Sequence, residues 1–166
     1  MEIISHSNEE TSKVAADILA LLKKKSTDVT GMTKEISAIN GVDVDGVDKS
    51  VVVGLVGDLG SGKTTFSQYI AKLLGVTNIV TSPTFIIEKI YTGTDTVFPQ
   101  LIHIDAYRLE NGRDLSILGF EDILKKKGTL VLVEWPERVR DILPADTLTV
   151  NFKFIDENTR SISYDF

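Results

Sequence analysis

The chain contains no cysteine. That removes disulfides, thiol nucleophiles and cysteine-ligated zinc from the available chemistry. It also has no basic surplus: the formal net charge is −6. Proteins that grip nucleic acid unaided normally carry the opposite balance, so tight direct binding to RNA or DNA is disfavoured, a local basic patch aside. No apolar run approaches the length of a membrane span, and Met1 to Glu10 lacks signal-peptide character. No membrane partner is therefore expected, and a cytoplasmic location is the default. Repeats and low-complexity segments are missing as well. What remains is ordinary: 166 residues, 42% hydrophobic and 25% charged. This predicts one soluble domain over 1–166 with a single core.

The unusual stretch is Gly57-Asp58-Leu59-Gly60-Ser61-Gly62-Lys63-Thr64, a G-x-x-x-x-G-K-T phosphate loop, or Walker A motif. Ser50 to Val56 before it reads as a buried strand. Phe66, Ile70, Leu73 and Leu74 after it recur at helical spacing up to Gly75, a helix stop. Strand, glycine turn and helix are the context that the motif requires. Glycines let the backbone curl so that its N–H groups face an anion. The helix start adds its positive dipole end. Lys63 supplies a cation for the outer phosphates, and the Thr64 hydroxyl is placed for magnesium. Asp58 stands out among anion-binding groups. Its carboxylate is expected to point away and brace the loop.

Along the chain, Glu2 to Ile4 reads as a short edge strand. Ser7 and Glu10 form a capping box. Val14, Ile18, Leu21 and Leu22 then mark a helix ending near Lys23-Lys24-Lys25, whose charges suit a helix end. Residues 26–49 have weak periodicity and read as a variable link or insertion, with a short helix over Thr33 to Ile39. Asp43 to Asp48 resembles a calcium loop but fails as one. Its glycine falls too early, and Gly54 occupies the place of the closing glutamate. Phe85 to Tyr91 and Leu101 to Ile104 predict a hairpin around Thr92 to Asp95. Leu115 to Lys127 reads as helical, with a break near Gly119. Leu130 to Val133 is a second buried strand. Thr147 to Ile155 and Ser161 to Phe166 read as a closing hairpin. These elements predict an α/β fold, a mixed sheet flanked by helices on both faces.

Leu130 to Glu134 has Walker B form, an apolar strand delivering an acid. In phosphate-loop proteins this strand lies beside the loop strand, so Glu134 is placed to hold magnesium or position water. His103 and Asp105 alternate on one strand face. Asp105 suits a metal or water role, whereas His103 reads equally well as a packed core residue. The hydroxyls of Ser82 and Thr84 fall where a switch loop meets the outer phosphate. Arg108 reads either as a phosphate or partner contact or as a surface ion-pair residue. Three functional classes fit. They are an accessory ATPase, a small-molecule kinase using Arg138 and Arg140 as a lid, and a nucleotide-gated binding module without useful turnover.

Four motifs occur in order: Gly57 to Phe66, Ser82-Pro83-Thr84-Phe85, His103-x-Asp105-x-Tyr107-Arg108-Leu109, and Glu134-Trp135-Pro136-Glu137. Together they closely resemble the TsaE (YjeE) family of bacterial P-loop ATPases over most of Val51 to Pro144. Asn8 to Thr11 looks like that family's start. The resemblance departs at Ser61, where alanine is usual, at Ala106, where leucine is usual, and in the longer 26–49 link. It implies a P-loop NTPase fold with a mixed, mostly parallel sheet. It implies ATP and Mg2+ as ligands and the TsaB–TsaD complex as partner. That complex makes threonylcarbamoyladenosine in tRNA, so tRNA is met only through it. By position, the resemblance implies nucleotide contacts at Asp58, Leu59, Gly60, Ser61, Gly62, Lys63, Thr64 and Thr65. Thr64 and Glu134 bind magnesium in this reading. Lys63, Asp105 and Glu134 are the catalytic set. Trp135 lies beside the nucleotide, and the segment from Asn8 to Thr11 together with Thr159-Arg160 near the end approach the nucleoside.

Overall fold

The structure, a computed structural model, describes residues 1–40 and 49–165, with side chains over 1–26 and 49–165. In chain order the elements are β1 (Glu2–Ser5), α1 (Asn8–Asn40), β2 (Val51–Val56), α2 (Lys63–Leu73), β3 (Glu88–Thr92) and β4 (Gln100–Asp105). Then follow α3 (Gly112–Ile117), α4 (Phe120–Leu124), β5 (Thr129–Glu134), a 3-10 turn (Pro136–Val139), β6 (Leu148–Phe154) and β7 (Arg160–Asp165).

The strands make one sheet in the order β1-β7-β6-β2-β5-β4-β3. β6, β2, β5 and β4 pair in parallel at its centre. β3 is antiparallel to β4, and β7 is antiparallel to both β6 and β1. β1 therefore runs with the central strands, and only β3 and β7 oppose them. The sheet is mixed and mostly parallel, as expected.

The central strands are apolar on both faces because both faces are covered. Val53, Leu55, Leu130 and Leu132 meet Ile18 and Leu22 of α1 and Phe66 and Ile70 of α2. Their neighbours Val52, Val131 and Val133 point the other way, onto Leu115 of α3 and Phe120 and Ile123 of α4. The period-two alternation of the strands thus divides one sheet between two cores. Parallel pairing also brings the carboxyl ends of β2, β4 and β5 to one edge. Gly57, Asp105 and Glu134 emerge there together.

Several local expectations are corrected. α1 does not end at Lys23–Lys25 but continues to Asn40, which absorbs the short helix expected over Thr33 to Ile39. Three lysines favour a helix end without enforcing one, and no glycine or proline follows them until Gly31. The acidic turn at Asp43 to Asp48 lies outside the described residues, as does Phe166. The capping box forms with a shift. Ser7 Oγ accepts from Glu10 N at 3.1 Å, while the Glu10 carboxylate reaches past Ser7 to His6 N at 2.6 Å. The strand expected from Phe85 begins only at Glu88. Pro83 O accepts from both Ile86 N and Ile87 N, which coils the chain. Ile87 then takes φ 66, a rare value for a β-branched residue. The break expected near Gly119 is present: this residue, at φ 84, separates α3 from α4.

Candidate active site

The phosphate loop runs from the end of β2 into the first turn of α2. Lys63 is buried, at 4% exposure. Its Nζ donates to Gly57 O at 2.6 Å and to Asp58 O at 2.9 Å. It also lies 4.2 Å from the centroid of the Trp135 ring, a cation–π contact. Burial pushes the Lys63 ammonium below its ordinary pKa, while Glu134 and Asp105 pull it back up. Asp58 is exposed and presents its carbonyl, not its carboxylate, to the lysine. Gly57 is at φ +150, and a Cβ there would stand 2.4 Å from the backbone oxygen of Phe152. Backbone cannot yield as a side-chain tip can. Gly57→Ala is therefore expected to destabilise the protein by about 1–2 kcal/mol. Denaturant unfolding of the two proteins measures this.

Beside the loop, Thr64 Oγ1 donates to Glu134 Oε1 at 2.9 Å. The same oxygen accepts from His103 Nε2 at 2.8 Å, with His103 fully buried. A carboxylate acceptor puts the imidazole hydrogen on Nε2. His103 is thus not only packed. It fixes the acid at the end of β5. Parallel pairing sets Asp105 of β4 directly opposite Glu134. Asp105 Oδ2 accepts from Ser82 Oγ at 3.0 Å and Thr84 Oγ1 at 2.5 Å, and Oδ1 accepts from Tyr107 N at 3.0 Å. The Ser82–Thr84 segment is therefore tied to the site through the Asp105 carboxylate. Trp135 follows Glu134 at φ 60, and its N donates to Leu55 O, so the chain turns sharply over the loop. The Tyr107 ring packs on it at 5.2 Å.

A cavity of about 270 Å³ lies over these groups, lined by Leu59, Gly60, Gly62, Lys63, Thr64, Thr65, Ser82, Thr84, Asp105, Tyr107, Glu134, Trp135 and Arg160. A smaller cavity of about 90 Å³ adjoins it. Asn8, Thr11 and Ser61 line this second cavity together with Asn158 and Arg160. Thr159 lines neither cavity; its hydroxyl stands 3.4 Å from His6 Nδ1. Arg138 lies over the Tyr107 ring at 5.7 Å, and Arg140 lines a separate cavity beside Pro136 and Thr147. Neither borders the phosphate cavity, which leaves the kinase-lid reading without its arginines. Arg108 stacks on Phe85 at 4.5 Å rather than entering the site.

The family model described as "Threonylcarbamoyl adenosine biosynthesis protein TsaE" matches residues 5–162. This chain belongs to the TsaE family. Among its curated TsaE relatives, the tRNA threonylcarbamoyladenosine biosynthesis protein of Bacillus subtilis is 41% identical over 68% of each chain. The protein of the same name from Treponema pallidum is 34% identical, over 70% of this chain and 83% of that one. The crystal structure of Bacillus subtilis YdiB superposes with a TM-score of 0.64 at 27% identity, covering 99% of this chain and 83% of that chain. The fold is that of a P-loop NTPase, and a nucleotide is the ligand class that such a TsaE site takes.

One feature of this TsaE site is not legible as site chemistry in the sequence. His103 acts across strands, on a partner 31 residues away. Arg160, which the resemblance places near the nucleoside, lines both cavities. The donor set also fits a magnesium ion. The Thr64 hydroxyl and the Glu134 and Asp105 carboxylates are hard oxygen ligands gathered at one edge of a phosphate loop. Among the described residues no helix is long and apolar enough to cross a membrane.

Proposed function

We propose that this TsaE-family chain binds ATP with Mg2+ and hydrolyses it as an accessory of the TsaB–TsaD complex, in making threonylcarbamoyladenosine in tRNA. The observation that carries this reading is the joining of Thr64, Glu134 and Asp105 at the mouth of the phosphate loop. Lys63 and the loop amides would hold the outer phosphates. Thr64 and Glu134 would hold magnesium, which when bound neutralises charge on the phosphate oxygens. Asp105, next to Glu134, would orient the attacking water. Asn8 and Thr11 would face the nucleoside. The curated relatives' names supply the pathway, and the net charge of −6 fits a protein that meets tRNA only through its partners.

Hydrolysis is proposed to be slow in the isolated chain. The groups needed for turnover are engaged with one another: Lys63 with its own loop, Glu134 with Thr64 and His103, Asp105 with Ser82 and Thr84. A docked partner that reorders the Ser82–Thr84 segment would free Asp105. Phosphate release should therefore rise several-fold or more when purified TsaB–TsaD is added at saturating ATP and fixed magnesium. A fast lone enzyme whose rate ignores the complex would overturn the proposal.

A further inference from the structure

A third cavity, of about 440 Å³, shares no lining residue with the phosphate cavity or its smaller neighbour. Its size falls within the range of small-molecule sites, about 300–1,000 Å³. It opens on the sheet face that α3 and α4 cover elsewhere. Val56 of β2 lies on that face with Val52, and Thr149 of β6 pairs with Gly54 beside it. The helical cover stops at β2: among the described residues, no side chain of β6 joins the core beneath α3 and α4.

The walls come from the chain after β5. Pro136, Leu143 and Pro144 give the cavity an apolar side. Pro136 is buried and seated against β2, so tightly that a Cβ on Gly54 would stand 2.9 Å from its ring. That wall is fixed before any ligand arrives. The polar groups are few. Glu137 lies in the 3-10 turn Pro136–Val139, and Arg140 caps its end. Both line the cavity and both are exposed, yet they form no ion pair with each other. Neither has a hydrogen-bond or ion-pair partner among the described residues. Thr147 spends its hydroxyl hydrogen on Pro144 O at 2.6 Å, whereas the Thr149 hydroxyl is uncommitted.

One anion, one cation and an apolar wall around a single cavity are complementary to a small zwitterion with an uncharged body. We propose that this cavity binds a free α-amino acid with an apolar or hydroxylated side chain. Arg140 would take the α-carboxylate in a forked pair, and Glu137 the α-ammonium. The side chain would lie on Pro136, Leu143 and Pro144, within reach of the Thr149 hydroxyl. An internal peptide segment carries neither end group and would leave both charges unmet. This site is independent of the nucleotide reading above.

The test is titration of the full chain with free L-leucine, L-threonine, L-aspartate and L-lysine, followed by amide chemical shifts and calorimetry. Leucine or threonine should bind more tightly than aspartate and lysine, with shifts centred on Val56, Thr147 and Thr149. The N-acetylated and the amidated forms of the bound amino acid should each lose about tenfold or more in affinity, the scale of a charge-assisted hydrogen bond. Arg140→Gln and Glu137→Gln should each do the same, and thermal unfolding checks that both variants fold. Should either variant fail to fold, the blocked amino acids report on its charge in the unaltered protein. Absence of binding by all four amino acids would overturn the proposal. Shifts centred on the phosphate loop would overturn it, as would blocked forms that bind as well as the free amino acid. Folded variants of unchanged affinity would overturn it too, and loss in only one of them would remove the two-charge recognition on which it stands.

Discussion

Glu134→Gln is expected to bind ATP as the unaltered protein does and to lose about 10²–10³ in partner-stimulated turnover. That is the scale on which one preorganised electrostatic group acts. The glutamine side chain has the same shape, and its amide oxygen can still accept from Thr64 and His103. Fold and nucleotide affinity should therefore survive. What disappears is the negative charge at the end of β5, which is 3% exposed and lies against the Thr64 hydroxyl. A neutral amide holds a divalent cation poorly and orients water weakly. Single-turnover hydrolysis with TsaB–TsaD present, beside a nucleotide titration of each protein, separates the two effects. Equal turnover in the variant and the unaltered protein would remove Glu134 from its role.

Lys63→Ala is expected to lose triphosphate affinity by about 10- to 100-fold while the fold persists. A hydrogen bond to a charged phosphate contributes about 1.5–3 kcal/mol. Lys63 is the cation whose backbone opens α2, and its Nζ rests on Gly57 O and Asp58 O. Those carbonyls lie on an exposed loop, so water can satisfy them when the ammonium is gone. The hydrophobic contacts of α2 run through Phe66, Ile70 and Ala71, on which Lys63 does not bear. A titration with fluorescent ATP tests the affinity, and a thermal melt tests the fold. A folded variant of unchanged affinity would remove the phosphate-loop assignment.

The curated family and the four ordered motifs agree because the chemistry of a phosphate loop is local. Gly57 to Thr64 must stand in one continuous turn, so spacing alone reveals it. The apolar runs at Val51 and Leu130 were legible as buried strands for a similar reason: a strand covered on both faces has no polar alternation to obscure it. The end of α1 was misread because its lysines describe a preference for a helix terminus, whereas termination needs a residue that cannot continue the helix. The start of β3 was misread because Phe85 and Ile86 are apolar yet 82% and 59% exposed. Their hydrophobicity imitates a strand, while the bonds to Pro83 O and the positive φ of Ile87 coil the chain.

The sequence by itself determined the loop, its lysine and threonine, the acid ending the second buried strand, and the absence of thiol chemistry. Each is a property of contiguous residues. Only the tertiary structure decided that His103 meets Glu134, that Asp105 holds Ser82 and Thr84, that Thr159 faces His6, and that Arg160 stands over Gly62. These contacts join segments far apart in the chain. Their geometry depends on strand order and register, which place β5 between β2 and β4 and bring β7 round to the loop through β6.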